Sequence, residues 1–264
     1  MAMLQQFGIL FSLGSLGIVL FVITSAPAVV KHLATLPAAQ VAGLPPLWVL
    51  LLVQGLQSAV LLAIAIVIGI FCTRPVNLHS RLIDYWVFHQ SQSVPFVSEL
   101  KWSLGVGLLT TLVIWAVDYL LNPLLPEALQ LVKQSPPSSL NSLAAVFYGG
   151  ITEELLLRWG VMSLFVWLGW KLLRQGVTLP SQGIYQGAIV LAALVFGLLH
   201  LPMTATLAPL TPWVICRALV LNGIAGIAFG WLFWQYSLEA AMIAHASFHV
   251  LGFLLNSGLV HKVT

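Results

Sequence analysis

Charged side chains are scarce in this sequence of 264 residues, because Asp, Glu, Lys and Arg together make up only 6% of it while 60% of the residues are hydrophobic. Soluble domains usually carry about 25% charged residues. A chain this poor in charge lacks the polar side chains that a water-soluble surface needs. The composition therefore predicts an integral membrane protein, with membrane lipids as partners.

Basic clusters and cysteine patterns are missing as well. The formal net charge is +3, but no run of Lys or Arg residues could follow a phosphate backbone. The two cysteines, Cys72 and Cys216, form neither a CxxC motif nor any other paired spacing. Nucleic acid is therefore not an expected partner, and neither a disulfide nor thiol chemistry is indicated.

The N-terminal sequence MAMLQQF lacks the positive segment of a signal peptide, so we interpret the apolar run behind it as a first transmembrane helix. A helix needs about 20 apolar residues to cross the hydrocarbon core. Runs of this kind predict spans at 7–30, 47–71, 102–121, 141–160 or beyond, 186–200, 213–234 and 238–257. The predicted fold is all-α, a polytopic membrane bundle of about seven or eight transmembrane helices.

The number of transmembrane helices depends on residues 140–174. As one helix this segment would be about 52 Å long at 1.5 Å per residue, which exceeds the roughly 30 Å of the hydrocarbon core. A break at Gly160 would divide this segment and give the eighth element. We expect residues 1–139 to form N-terminal membrane helices with an interfacial loop, in which Tyr85 and Trp86 suit headgroup depth. Residues 140–264 are expected to form a helical catalytic core within the same integrated membrane domain.

The segment GGITEELLLRWG places Glu153, Glu154 and Arg158 in an otherwise apolar helix. Each charge in mid-membrane costs about 2.5–3.5 kcal/mol, so such residues are candidates for function. Glu154 and Arg158 are four residues apart and share a helix face, whereas Glu153 is turned away from them. We predict that Arg158 neutralises Glu154 and that Glu153 is a general base. The alternative is a purely structural triad that joins helices.

Three of the seven histidines lie within or at the ends of apolar helices. Phe196 and His200 share a helix face just before Pro202, and His245 and His249 lie four residues apart on another helix. One lone histidine in a membrane helix usually serves packing or hydrogen bonding. Three of them, together with a pair of glutamates, indicate a shared site.

Three motifs therefore follow one another in apolar helices: Glu153-Glu154-x-x-x-Arg158, Phe196-x-x-x-His200 and His245-x-x-x-His249. Over residues 140–257 the chain resembles the CAAX-processing and bacteriocin-processing intramembrane proteases, also called the type II CAAX prenyl endopeptidase or abortive-infection family. Their pattern is EExxxR, then FxxxH, then HxxxN or a variant of it. Each motif is weak alone, whereas three in this order are specific.

The resemblance implies an intramembrane endopeptidase of a prokaryotic plasma membrane, acting on a membrane-associated peptide or protein that is lipidated or CAAX-like. It implies that Glu153 and His200 activate water and that His245 donates to the oxyanion. Glu154, Arg158 and Phe196 would support them. His249 stands where the family usually has asparagine, and its hydrogen-bonding roles depend on tautomer and pH in a way that those of an amide do not.

The same histidines leave a second chemistry open. Glu153, His200, His245 and His249 make a possible zinc set, since catalytic zinc commonly has three protein ligands and a water. The segment HASFH has Ala246 where an HExxH motif has its glutamate, and metal-free catalysis without a cofactor is our main expectation. A non-catalytic immunity or scaffold protein is the rival from another class, and a transporter is a third, although no inverted repeat is evident.

Overall fold

The computed structural model describes residues 1–90, 94–132, 138–173 and 179–260. Within these ranges it is built of helices and contains no strand. Seven long helices run through the described chain: α1 Ala2–Thr35, α2 Leu47–Cys72, α3 Phe96–Leu121, α4 Ser139–Leu173, α5 Gln182–Leu199, α6 Pro212–Gln235 and α7 Leu238–Val260. All seven are long and apolar enough to cross a membrane, α5 together with the short helix Leu201–Ala205 that follows it. The predicted all-α fold is confirmed, and the chain is a multi-pass integral membrane protein.

Helix α4 is the most enclosed of the seven. Of its most apolar stretch 44% is buried inside the protein, compared with 17–33% for the other six helices. It contacts α1 and α2 on one side and α5, α6 and α7 on the other. The helix that carries the two glutamates is therefore shielded from lipid by its neighbours, which themselves expose large apolar side chains such as Leu52 and Leu56 of α2.

The middle of α4 departs from ordinary α-helical geometry. Residues Tyr148–Glu153 and Leu155–Met162 form π-helical turns, with α-helical segments before and after them. The wider turns hold more residues than α turns do, which helps a segment of 35 residues to pass through as one element. π-Helical turns occur frequently at functional sites.

Of the two possibilities that the sequence left open, the break at Gly160 does not occur, because the helix continues through this residue. Gly160 lies against α2, and a Cβ added to it would be 2.7 Å from the Cβ of Ala65. The glycine permits close approach of two helices, and the eighth element that a break there would have created is not formed.

Polar residues between the apolar runs begin several of the helices. The Ser138 hydroxyl accepts a hydrogen bond from the Asn141 backbone N–H (3.2 Å) at the start of α4. Thr211 does the same for Val214 (3.3 Å) at the start of α6. Each cap satisfies one of the N–H groups that the first turn of a helix leaves without a partner.

The loop between α2 and α3 is folded against the end of the bundle. It contains the short helix Arg81–Trp86, and Ile83 is buried while Tyr85 and Trp86 remain exposed. The carboxylate of Glu239, in the first turn of α7, accepts hydrogen bonds from the Ser80 hydroxyl (2.5 Å) and from the backbone N–H groups of Arg81 (2.8 Å) and Leu82 (3.1 Å). This loop therefore holds the start of α7, the helix that presents two of the candidate histidines.

Candidate active site

Glu154 and Arg158 form a buried ion pair. Glu154 is 0% exposed and Arg158 1%, and 3.1 Å separates Glu154 Oε2 from Arg158 Nε. These two atoms are at ion-pair distance without the alignment of a hydrogen bond. The guanidinium also lies over the rings of Phe196 (5.2 Å) and Phe229 (5.7 Å). The pairing predicted from the spacing of the two residues is therefore present, and aromatic faces complete the surroundings of the cation.

The other oxygen of Glu154 holds His245. Glu154 Oε1 is 2.7 Å from His245 Nδ1, and the imidazole, 3% exposed, stacks on Phe229 with ring centroids 4.7 Å apart. An ionised carboxylate only accepts hydrogen bonds, so Nδ1 carries the proton in this contact. In the neutral ring Nε2 is then an acceptor that faces the remaining members of the cluster.

His249 is stacked on His245 one helical turn further along α7. The ring centroids are 4.9 Å apart and the two Nε2 atoms 3.2 Å apart. One of these nitrogens must donate, and because His245 Nε2 is the acceptor in the neutral ring, the proton lies on His249 Nε2. An asparagine at this position would offer an amide with a donor and an acceptor that do not exchange roles.

Glu153 faces the same histidine pair. Its carboxylate is 17% exposed, whereas that of Glu154 is 0% exposed, and its Oε2 is 3.9 Å from His245 Nε2. In the described part of the chain no ion pair joins Glu153 to Arg158. The two adjacent glutamates thus occupy different environments, one locked to a cation and the other open toward the imidazoles.

His200 lies at the edge of this cluster. It follows the last residue of α5, and its Nδ1 donates to the Phe196 backbone carbonyl (2.8 Å). The Phe196 ring contacts His200 edge-on (4.7 Å between centroids) and also contacts His245 (6.1 Å). Among the described residues, no hydrogen bond or ion pair joins His200 directly to Glu153, His245 or His249. The structure brings Glu153, His245 and His249 together, and His200 contacts the Phe196 ring that also contacts His245.

Gly149 is a site residue that our sequence analysis missed. A Cβ added to it would be 2.3 Å from His249 Nε2 and 3.2 Å from His245 Nε2, so both rings pack against the bare backbone of α4. The glycine pair that precedes the first motif was the available signal. Sequence alone does not show which residues another helix places opposite it.

The geometry does not assemble the zinc set. In the described ranges, no group of three or more His, Cys, Asp and Glu side chains is arranged to hold a metal ion. The Nδ1 of His200 donates to the Phe196 carbonyl, and the Nε2 atoms of His245 and His249 face each other at hydrogen-bond distance. The four residues Glu153, His200, His245 and His249 therefore do not fit a resident zinc in this arrangement.

Charged and imidazole groups gathered in the interior of a membrane helix bundle define a class of polytopic membrane proteins with a polar reaction centre. Comparison with known proteins gives one family match. Residues 135–251 match the Rce1-like type II CAAX prenyl endopeptidases, a family of peptidases. All three motifs lie within the matched residues. No curated protein and no solved structure gives a significant match to the chain.

Proposed function

We propose that the protein is an intramembrane endopeptidase that uses Glu153-activated water to hydrolyse a peptide bond in a membrane-associated, CAAX-like substrate. The observation that carries the proposal is the convergence of Glu153, His245 and His249 in an apolar bundle. It gains support from the family that residues 135–251 match. A peptidase family implies that the substrate is a protein. We propose more specifically that the substrate carries a lipidated C-terminal segment.

In the proposed reaction, Glu153 accepts a proton from a water molecule as the water oxygen attacks the carbonyl carbon of the scissile bond. The attack creates a tetrahedral carbon with a negative oxygen. The C–N bond then breaks, the carbonyl re-forms as a carboxylic acid, and the proton held by Glu153 passes to the leaving amine. Glu153 is suited to this role because, among the described residues, no Lys or Arg forms an ion pair with it, and its carboxylate remains partly open.

His245 stabilises the oxyanion in this proposal. Its neutral ring has no N–H at Nε2, so donation from this atom requires the imidazolium form. Two carboxylates border the ring, Glu154 at 2.7 Å from Nδ1 and Glu153 at 3.9 Å from Nε2. In the imidazolium form His245 Nε2 no longer accepts from His249, so the Nε2–H of His249 is free to act as the second donor. His200 is proposed to assist the water as the partner of Glu153.

The test is Glu153→Gln in the full-length protein, reconstituted in liposomes with a membrane-anchored peptide substrate. We expect cleavage to be abolished while expression and thermal unfolding stay unchanged, because Glu153 is partly exposed and takes no part in the buried Glu154–Arg158 pair. Glu127→Gln, which alters an exposed glutamate of the short helix Glu127–Val132, is the matched control and should cleave normally. Full turnover by Glu153→Gln would overturn the assignment of the base.

A further inference from the structure

The hydroxyl group of Tyr148 in α4 forms no hydrogen bond with any residue that the structure describes. The side chain is half-buried, and its ring stacks on Phe21 of α1 with ring centroids 4.5 Å apart. An O–H group without a partner in an apolar helix bundle costs free energy, so its presence requires an explanation. Binding to a polar group of a substrate is one that the surroundings of Tyr148 support.

The π-helical turn of α4 places Tyr148 next to Glu153. These two residues are the first and the last of the π-helical segment Tyr148–Glu153. In an α-helix, residues five positions apart are turned about 140° from each other, because each residue turns the helix by about 100°. A π turn is closed by a hydrogen bond between positions i and i+5, which brings these two positions back together. The charge of the Glu153 carboxylate accordingly acts on the Tyr148 phenol.

The neighbour of Tyr148 along the chain faces the two histidines of α7. A Cβ added to Gly149 would be 2.3 Å from His249 Nε2 and 3.2 Å from His245 Nε2. Glu153 Oε2 lies 3.9 Å from the same His245 atom, and the carboxylate is partly exposed. The imidazoles thus border Glu153 from α7, whereas the phenol borders it from the side of α1.

Helix α1 fixes the backbone and the ring of Tyr148. The Thr152 hydroxyl donates to the Gly14 carbonyl of α1 (2.8 Å). Gly17 packs so closely on α4 that a Cβ added to it would be 2.9 Å from Tyr148 Cα. Since the ring also stacks on Phe21, packing accounts for every part of Tyr148 except its hydroxyl group. A phenylalanine at this position would keep all of these packing contacts.

We propose that the Tyr148 hydroxyl donates a hydrogen bond to the negative oxygen that forms when Glu153-activated water attacks the scissile carbonyl. This inference rests on the proposed peptidase function and adds a catalytic residue to it. A phenol loses its proton only near pH 10, so Tyr148 donates as a neutral group. Donation from His245 Nε2, in contrast, requires the imidazolium form. Tyr148 therefore supplies a donor that does not depend on the protonation of the histidines.

The experiment compares Tyr148→Phe with the wild-type protein, both full-length and in liposomes, on a farnesylated peptide that ends in Cys-Val-Ile-Met. Because the ring and its packing remain, thermal unfolding should be unchanged. Loss of one donor to the oxyanion should lower kcat by about 10²-fold and change KM by less than about twofold. Tyr185→Phe is the matched control, because the Tyr185 hydroxyl donates to the Val76 carbonyl (2.5 Å) away from the histidines. It should lower the unfolding temperature and leave kcat within about twofold.

A binding measurement tests the role of Tyr148 without turnover. The probe is a farnesylated phosphinate peptide, in which a tetrahedral, negatively charged phosphorus group replaces the scissile carbonyl. Tyr148→Phe should bind this probe about 10²-fold more weakly than the wild-type protein does. The corresponding amide peptide has no negative oxygen at this position, and its affinity should change by less than about twofold.

The outcomes separate the role of Tyr148 from the proposed function. If Glu153→Gln abolishes cleavage but Tyr148→Phe keeps the wild-type kcat, the peptidase stands and the inference about Tyr148 is overturned. If the wild-type protein does not cleave the amide peptide, the phosphinate peptide decides. Selective loss of phosphinate binding in Tyr148→Phe supports the inference, whereas equal or absent binding in both proteins overturns it. A lower unfolding temperature together with equal weakening for both peptides would show a structural role and also overturn it.

Discussion

Glu154 Oε1 lies 2.7 Å from His245 Nδ1, while Oε2 of the same carboxylate lies 3.1 Å from Arg158 Nε. One buried carboxylate therefore neutralises a cation on its own helix and orients an imidazole on another. This arrangement makes Glu154 a positioning residue, because it acts on the reaction centre through His245.

Glu154→Gln should lower both stability and activity. The substitution leaves the buried Arg158 without its counter-charge, and breaking a buried pair in this way costs about 3–5 kcal/mol. Thermal unfolding in detergent and cleavage in liposomes measure the two effects. Asp118→Asn is the comparison, because it alters the half-exposed pair with Arg217 (2.6 Å) and should cost less. Equal losses in the two variants would contradict a special role for Glu154.

The substitution of Ala for Gly149 should abolish or strongly reduce cleavage. Its Cβ would lie 2.3 Å from His249 Nε2, so that ring must move away from His245. Helix propensity alone favours alanine over glycine by about 1 kcal/mol. At this position the steric conflict with His249 outweighs that gain, so the substitution is destabilising instead of stabilising. Gly105→Ala, at an α3 glycine with nothing within 4 Å of its added Cβ, should be neutral or slightly stabilising. Normal activity of the Gly149 variant would show that the two rings tolerate displacement.

At position 249 we expect asparagine, the residue usual in the family's third motif, to be tolerated. An amide retains an N–H donor, so His249→Asn should keep activity within about tenfold, whereas His249→Ala should lose about 10²-fold or more in kcat. Single-turnover cleavage at several pH values measures both. A His249→Ala variant with unaltered kcat would remove His249 from the reaction.

Chelation should leave turnover unchanged, because the described residues do not assemble a metal site. The measurement is cleavage by purified protein before and after exhaustive treatment with EDTA and phenanthroline, together with the metal content per chain. About one zinc per chain, with activity lost on chelation and restored by zinc, would establish the zinc chemistry that the sequence leaves open.

The hydrogen bonds that the Glu239 carboxylate accepts should stabilise the loop between α2 and α3, and Glu239 should take no part in the reaction. Glu239→Ala removes acceptors for the Ser80 hydroxyl and two backbone N–H groups, and hydrogen bonds to charged groups contribute about 1.5–3 kcal/mol each. We expect faster hydrogen exchange across residues 80–86 and nearly normal kcat. Unchanged exchange in this segment would show that Ile83 and its buried neighbours suffice to hold the loop.

The spans were predictable from sequence because lipid requires long apolar runs, and the Glu154–Arg158 pair was predictable because its spacing is local. The contact of Glu154 with His245 joins residues 91 positions apart, and periodicity within one helix carries no information about such a distance. The same limit explains Gly160, where glycine at a helix contact resembles glycine at a break until Ala65 of α2 is known to lie opposite. His200 is a further case, since the motif order does not reveal that the Phe196 ring contacts both His200 and His245.

The π-helical turns of α4 make the number of residues in this helix as consequential as their identity. A π turn holds one residue more than an α turn, so removing one residue between Gly149 and Glu153 would let an ordinary α turn form there while the helix on either side kept its orientation. The same removal within the α-helical part Ser139–Phe147 would instead rotate every side chain before it by about 100° relative to the two glutamates and Arg158. The chain length of this segment is thus a constraint on the reaction centre that no single substitution would expose.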